Sequence, residues 1–241
     1  MPIRKVWRES RSRFFFILAA LLLVTTATVF YNAKAGRVVI ESKDFHDAGE
    51  RTITGFLFMF WSFSAIFLGL GGFLRERAVG TVDYTLSLPV SRTRWFLYRS
   101  LNGALQSMAA ALIPALAVPV IAALFGGDFP VGDAFLLGLR MGLGGMLFYA
   151  IGLLLSTLFA GDFTSAGLGI ALVYAVTLST RVIESIKGLN LQDAIFLPMP
   201  RLDPLTHLIR RPMPWNGIAI SFALSLLLAT CAWKITADRD F

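Results

Sequence analysis

Residues Phe14–Tyr31, FFFILAALLLVTTATVFY, carry no charged side chain. A membrane-spanning helix needs about 20 apolar residues, because the hydrocarbon core is about 30 Å thick and a helix rises about 1.5 Å per residue. Backbone polar groups cannot face lipid unpaired, so a run of this kind must be helical. The basic residues ahead of it (Arg4, Lys5, Arg8, Arg11, Arg13) and the Ala33-Lys34-Ala35 triplet behind it mimic a cleavable leader. The apolar run exceeds the usual leader core of about 7–15 residues, so it reads as an uncleaved first span.

Five further runs repeat the pattern: 53–74, 101–125, 134–159, 163–180 and 215–233. Only the short Ala160-Gly161-Asp162 break separates the fourth from the fifth. Of the 241 residues, 56% are hydrophobic and 15% are charged, and mean hydropathy is +0.69. A soluble domain carries roughly 25% charged residues. The expectation is one all-α, polytopic membrane domain over residues 1–241, with six transmembrane helices and no fixed-period repeat. The single cysteine, Cys231, excludes an internal disulfide and a CxxC zinc framework.

The net charge of +7 does not point to nucleic acid, because the basic residues cluster beside the apolar runs. In those positions they set orientation and meet anionic lipid head groups. With both termini cytoplasmic, twelve Lys and Arg residues lie on the inner side and nine on the outer side. That modest bias, and the even number of spans, favours both termini on the cytoplasmic side of the cell membrane. Ahead of the first span, Ile3, Val6, Trp7 and Phe14 fall near one helical face, with Arg4, Lys5, Arg8 and Glu9 largely elsewhere. This predicts an N-terminal amphipathic helix lying in the membrane interface.

Between spans two and three the chain reads Arg75–Arg94, RERAVGTVDYTLSLPVSRTR. Gly80-Thr81 supplies a turn and a helix N-cap. Val82, Tyr84, Thr85, Leu86 and Leu88 form a brief half-apolar element, which Pro89 halts. Ser91 can cap the next helix, and Trp95 and Tyr98 would anchor it at the membrane surface. The positive-inside rule explains the arginines here but not the order of acid, Gly-Thr and Pro-x-Ser-Arg.

In Glu76, Gly80-Thr81, Asp83, Leu86, Pro89 and Ser91-Arg92 the sequence resembles the type-two ATP-binding-cassette (ABC) exporter permeases. Ala78 stands where members often carry a second acid. The resemblance implies that segment 75–94 is a cytoplasmic coupling helix that docks into an ABC ATPase subunit through Glu76, Gly80, Thr81, Asp83, Leu86, Leu88, Pro89, Ser91 and Arg92. It also implies a permease paired with a second copy or a related permease, not itself an enzyme. ATP and Mg would be bound by the partner ATPase, with no cofactor on this chain. Leu202-Asp203-Pro204-Leu205-Thr206 looks like a weaker feature of the same family. The absence of a GxxxxGK[ST] loop agrees with a separate ATPase.

Other residues carry competing readings. Arg140, inside the fourth span, either reaches toward Asp133 or lipid phosphates or lines a pathway for an anionic head group. Gly138 and Gly142 form a GxxxG that permits close helix approach. His207 with Met199 and Met213 could supply soft copper ligands, although scattered residues of these types more often pack, and no metal site is assigned. Ser62 and Ser64 could be proposed as nucleophiles of a membrane hydrolase, but the spans offer them no convergent base. A membrane scaffold would explain the spans but leave segment 75–94 without a purpose.

Overall fold

The computed structural model describes residues 2–34, 43–70, 80, 91–126, 129–159, 161–187 and 215–238. Among them every regular element is an α-helix: α1 (Pro2–Lys34), α2 (Lys43–Gly69), α3 (Arg92–Leu124), α4 (Val131–Gly144), α5 (Met146–Leu158), α6 (Asp162–Lys187) and α7 (Trp215–Asp238). Four stretches are long and apolar enough to cross a membrane: Ser10–Asn32, Thr93–Leu124, Val131–Leu158 and Trp215–Asp238. Phe56–Gly69 of α2 and Phe163–Ala175 of α6 are apolar but shorter. The Ala160-Gly161-Asp162 break does separate two helices, α5 and α6.

Three expectations are corrected. The N-terminal amphipathic segment is not a separate interfacial element, because α1 runs unbroken from Pro2 to Lys34. Val6, Ser10 and Phe14 stand at four-residue spacing on one face of it. Val6 and Phe14 are buried and Ser10 bonds side chains of α3, so part of this face packs within the bundle, whereas Trp7 stays exposed. The second correction concerns Trp95, which is buried rather than an interface anchor. The third is that the fourth run is not one helix. It is interrupted at Gly145, whose N–H bonds the Met141 carbonyl at 2.9 Å while its own carbonyl accepts from Phe148 at 3.0 Å.

The α4–α5 run forms the centre of the bundle. In the most apolar window of Val131–Leu158, 72% of residues are buried, against 22% for the corresponding windows in α1 and α7. A helix apolar all round belongs inside, as α5 shows with Leu147, Phe148, Tyr149, Ala150 and Leu153 all buried. Helix α3 packs along α4, whereas α2, α6 and α7 pack against α5, and α1 lies over α2 and α3. The outer faces of the bundle expose Phe16, Leu23, Leu105 and Leu226, as a lipid-facing surface does.

Close backbone contact holds the crossing of α2 and α5. A Cβ on Gly69 would lie 2.5 Å from the Tyr149 carbonyl oxygen and 2.7 Å from the Leu153 nitrogen, and one on Gly152 would overlap the Ile66 carbonyl. The GxxxG pair serves the neighbouring contact: Gly138 and Gly142 lie against Leu112 and Met108 of α3. Without a hydrophobic force between helices in lipid, such small-residue contacts maximise van der Waals packing.

Several span hydroxyls are satisfied inside their own helices. Thr25 donates to Leu21 O at 2.8 Å, Ser225 to Ser221 O at 2.7 Å and Thr236 to Ala232 O at 2.8 Å. Ser62 and Ser64 do the same, donating to Met59 O and Phe60 O, each at 2.8 Å. Their hydroxyl protons are thus engaged by backbone, which favours packing residues over nucleophiles.

Candidate functional site

The ends of the connection between α2 and α3 are built from five helices. Helix α2 stops at Gly69, and the N–H of Leu70 closes a final turn on the Phe67 carbonyl at 3.2 Å. The Leu70 carbonyl then accepts from two guanidinium groups. Arg99 of α3 donates through Nη2 at 3.1 Å and Arg13 of α1 through Nη1 at 3.4 Å. The Arg99 guanidinium also lies 5.2 Å from the centre of the buried Trp95 ring, within cation–π range.

A polar knot fixes α1 to α3 beside this carbonyl. Ser10 Oγ accepts from Asn102 Nδ2 at 2.9 Å and from Gln106 Nε2 at 2.8 Å, and donates to the Val6 carbonyl at 3.0 Å. Asn102 and Gln106 sit one turn apart on α3, so both reach the same hydroxyl. From α5, the Tyr149 hydroxyl donates to the Ser100 carbonyl at 2.9 Å. Trp233 Nε1 of α7 approaches Thr93 Oγ1 at 3.4 Å. In an apolar medium each of these bonds is worth keeping, because an unmade one leaves a desolvated polar group.

At the far end of the connection Ser91 caps α3 as expected. Its backbone is extended (φ −63°, ψ 147°), and its hydroxyl accepts from the Arg94 N–H at 3.4 Å. Gly80 is an exposed turn residue with φ +76°, a left-handed conformation that glycine adopts without strain. Arg92 is the first residue of α3. Glu76, Thr81, Asp83, Leu86, Leu88 and Pro89 lie outside the described residues, as do Met199, His207 and Met213 and the 202–206 segment. Among the described residues no group of three or more His, Cys, Asp or Glu could hold a metal ion.

Arg140 is distant in sequence from this site and lies in α4. It is 2% exposed and Asp133 is 1% exposed. Asp133 occupies the first turn of α4, where the helix dipole favours an anion. Helical side chains lean toward the N-terminus, which directs Arg140 back to Asp133, whose charge attracts it. Asp133 is thus one charge that acts on Arg140. Asp133→Asn alone is expected to destabilise the protein, and Asp133→Asn with Arg140→Gln to cost less than the sum of the two single changes. A coupling of about 1 kcal/mol or more is expected from melting in detergent, whereas strict additivity would separate the two charges.

The residues that build the site were largely invisible in the sequence as a site. Arg13 and Arg99 served there only as orientation charges, and Leu70 and Tyr149 carried no signal. Asn102 and Gln106 did offer one: two amides at i and i+4 inside an apolar run need a polar partner at membrane depth.

The family model described as "ABC-2 family transporter protein" matches residues 4–211 of the chain. No curated protein matches it.

Proposed function

The chain belongs to the ABC-2 transporter family, and we propose that it is the permease subunit of an ABC exporter in the cell membrane. In this reading residues 1–241 form one permease domain with six spans and both termini in the cytoplasm. Two such chains, or this chain and a related permease, enclose the substrate path, and two ATPase subunits dock beneath them. ATP and Mg reside on the ATPases.

Segment 75–94 is the docking element. Glu76 and Asp83 meet basic or amide donors on the ATPase, and Leu86 and Leu88 enter a shallow apolar cleft. Gly80-Thr81 and Pro89 bound the element, and Ser91 and Arg92 start the helix that leads from it into the membrane. Closure of the ATPases on ATP pushes this element and shifts the permease pair between two conformations, of which ATP stabilises one more than the other. The observation that most supports the reading is the construction of the two ends of this connection. One end is held by arginines from α1 and α3 at Leu70, and the other is capped by Ser91. An unanchored loop could receive a push but could not deliver it.

Capture of the co-purifying ATPase by the full-length permease in lipid nanodiscs tests the proposal. Leu86→Asp is expected to weaken capture by about 30-fold, since a buried apolar anchor at an interface is worth about 2 kcal/mol. Asp83→Lys is expected to weaken it less and in a salt-dependent manner. Lys43→Glu, outside the segment, is the control and should bind as wild type does. Undiminished capture by both Leu86→Asp and Asp83→Lys would remove the segment from the interface.

A further inference from the structure

The Leu70 carbonyl attracts two positive side chains that its own helix does not provide. Helix α2 has no basic residue in its last turn, yet the C-terminal end of a helix carries a partial negative charge that favours cations. The cations come from α1 and α3 instead, through Arg13 and Arg99. A single capping side chain within α2 would satisfy the carbonyl, yet both donors come from other helices.

The arrangement makes sense as a way of tying elements together. Helix α3 carries both the Ser91 cap at the exit of the connection and the Arg99 grip at its entry, two turns apart on one rigid rod. Arg99 is itself positioned by the Trp95 face, 5.2 Å away. Helix α1 is locked to α3 through Ser10, Asn102 and Gln106, and adds the second grip through Arg13. Any displacement of the connection therefore reaches α3 at both ends and α1 through the polar knot. Without the two grips, the chain beyond Gly69 could pivot about Leu70 and absorb the displacement locally.

We propose that Arg13 and Arg99 are positioning residues that convert movement of the 71–90 connection into joint movement of α1 and α3. This inference rests on the docking reading of that connection. Neither residue is assigned to the ATPase interface; both act through the Leu70 carbonyl.

The test uses full-length permease with its co-purifying ATPase in lipid nanodiscs, comparing wild type with Arg13→Gln, Arg99→Gln, the double variant and Arg99→Lys. Three quantities are measured: affinity for the ATPase, kcat and KM for ATP of the assembled complex, and amide hydrogen exchange across 71–90 in the permease alone. Loss of a charge-assisted hydrogen bond corresponds to about a tenfold effect. The double variant is therefore expected to raise exchange across 71–90 by about tenfold and to lower kcat by about tenfold. ATPase affinity and KM should remain at wild-type values, and Arg99→Lys should recover much of the lost kcat. A purely stabilising role would leave kcat unchanged once the complex is assembled, and that result overturns the inference. Loss of ATPase affinity in step with kcat also overturns it, since the arginines would then shape the docking surface itself. Should wild-type permease fail to capture the ATPase, the docking reading falls and exchange alone decides. Increased exchange in the double variant would then uphold the grip, and unchanged exchange would dismiss it.

Discussion

Replacing Gly152 by valine is expected to prevent α2 and α5 from closing on each other. Even the first carbon of a side chain at this position overlaps the Ile66 carbonyl, and the obstacle is backbone rather than a flexible side-chain end. On the opposite strip, Gly69 meets the backbone of Tyr149 and Leu153 just as closely, so the helices cannot slide to make room without a second collision. Overpacking of this kind costs about 3 kcal/mol or more, because it forces the backbones apart along the whole crossing. Thermal unfolding of the purified protein in detergent, followed by fluorescence, should show a large loss of melting temperature or no folded material. Gly167→Ala provides the control: its Cβ would meet no neighbouring element within 4 Å, so melting should not fall and can rise slightly through the better helix propensity of alanine. Wild-type melting of Gly152→Val would rule out backbone contact between α2 and α5.

The second large effect is expected at Trp61. Its ring is fully buried, and occupies the space where a Gly145 side chain would stand. It meets Phe148 edge-on at a centroid distance of 6.3 Å and Phe58 at 6.3 Å. Its indole N–H donates to the Ser107 carbonyl of α3 at 3.2 Å. Trp61→Ala should therefore cost about 3–5 kcal/mol, through the cavity and the lost contacts. The same geometry predicts non-additivity. Gly145→Ala collides with the indole in the native protein; removing the indole relieves that clash and leaves only the approach to the Met141 carbonyl oxygen at 2.5 Å. Its cost should fall by about 1 kcal/mol or more in the Trp61→Ala background, as a melting-based double-mutant cycle would read. Independent effects would place the ring away from the helix break.

What could be read in the sequence was whatever depends on a single run of residues. The apolar stretches announced their helices, the Ala160-Gly161-Asp162 interruption parted α5 from α6, and Ser91 capped α3. The Gly138/Gly142 pair marked a close approach, though not its partner. Features that require two distant segments were not legible. At Gly145 the only local hint is the Gly144-Gly145 pair, since the run stays apolar through it and its neighbour Trp61 comes from α2. Arg13 and Leu70 are separated by 57 positions, and a positive charge close to a span already has a sufficient explanation in orientation. The N-terminal segment misled for a related reason: an apolar stripe beside basic residues looks the same whether it faces lipid or another helix.

The interruption at Gly145 makes the fourth crossing two links in series rather than one beam. The link before it, α4, keeps company with α3, which carries the end of the connection; the link after it, α5, is clasped by α2, α6 and α7. A continuous helix would oblige both sets of neighbours to tilt together, since the ladder of i to i−4 bonds transmits bending along its length. At Gly145 the N–H still bonds the Met141 carbonyl four residues back and the next turn tightens to a three-residue bond from Phe148, so the joint is a bend rather than a gap, and it lies against the Trp61 ring. The two links can thus differ in tilt, but they do not part: Tyr149 of α5 holds Ser100 and Trp61 of α2 holds Ser107, so α3 ties both sides of the joint into one bundle.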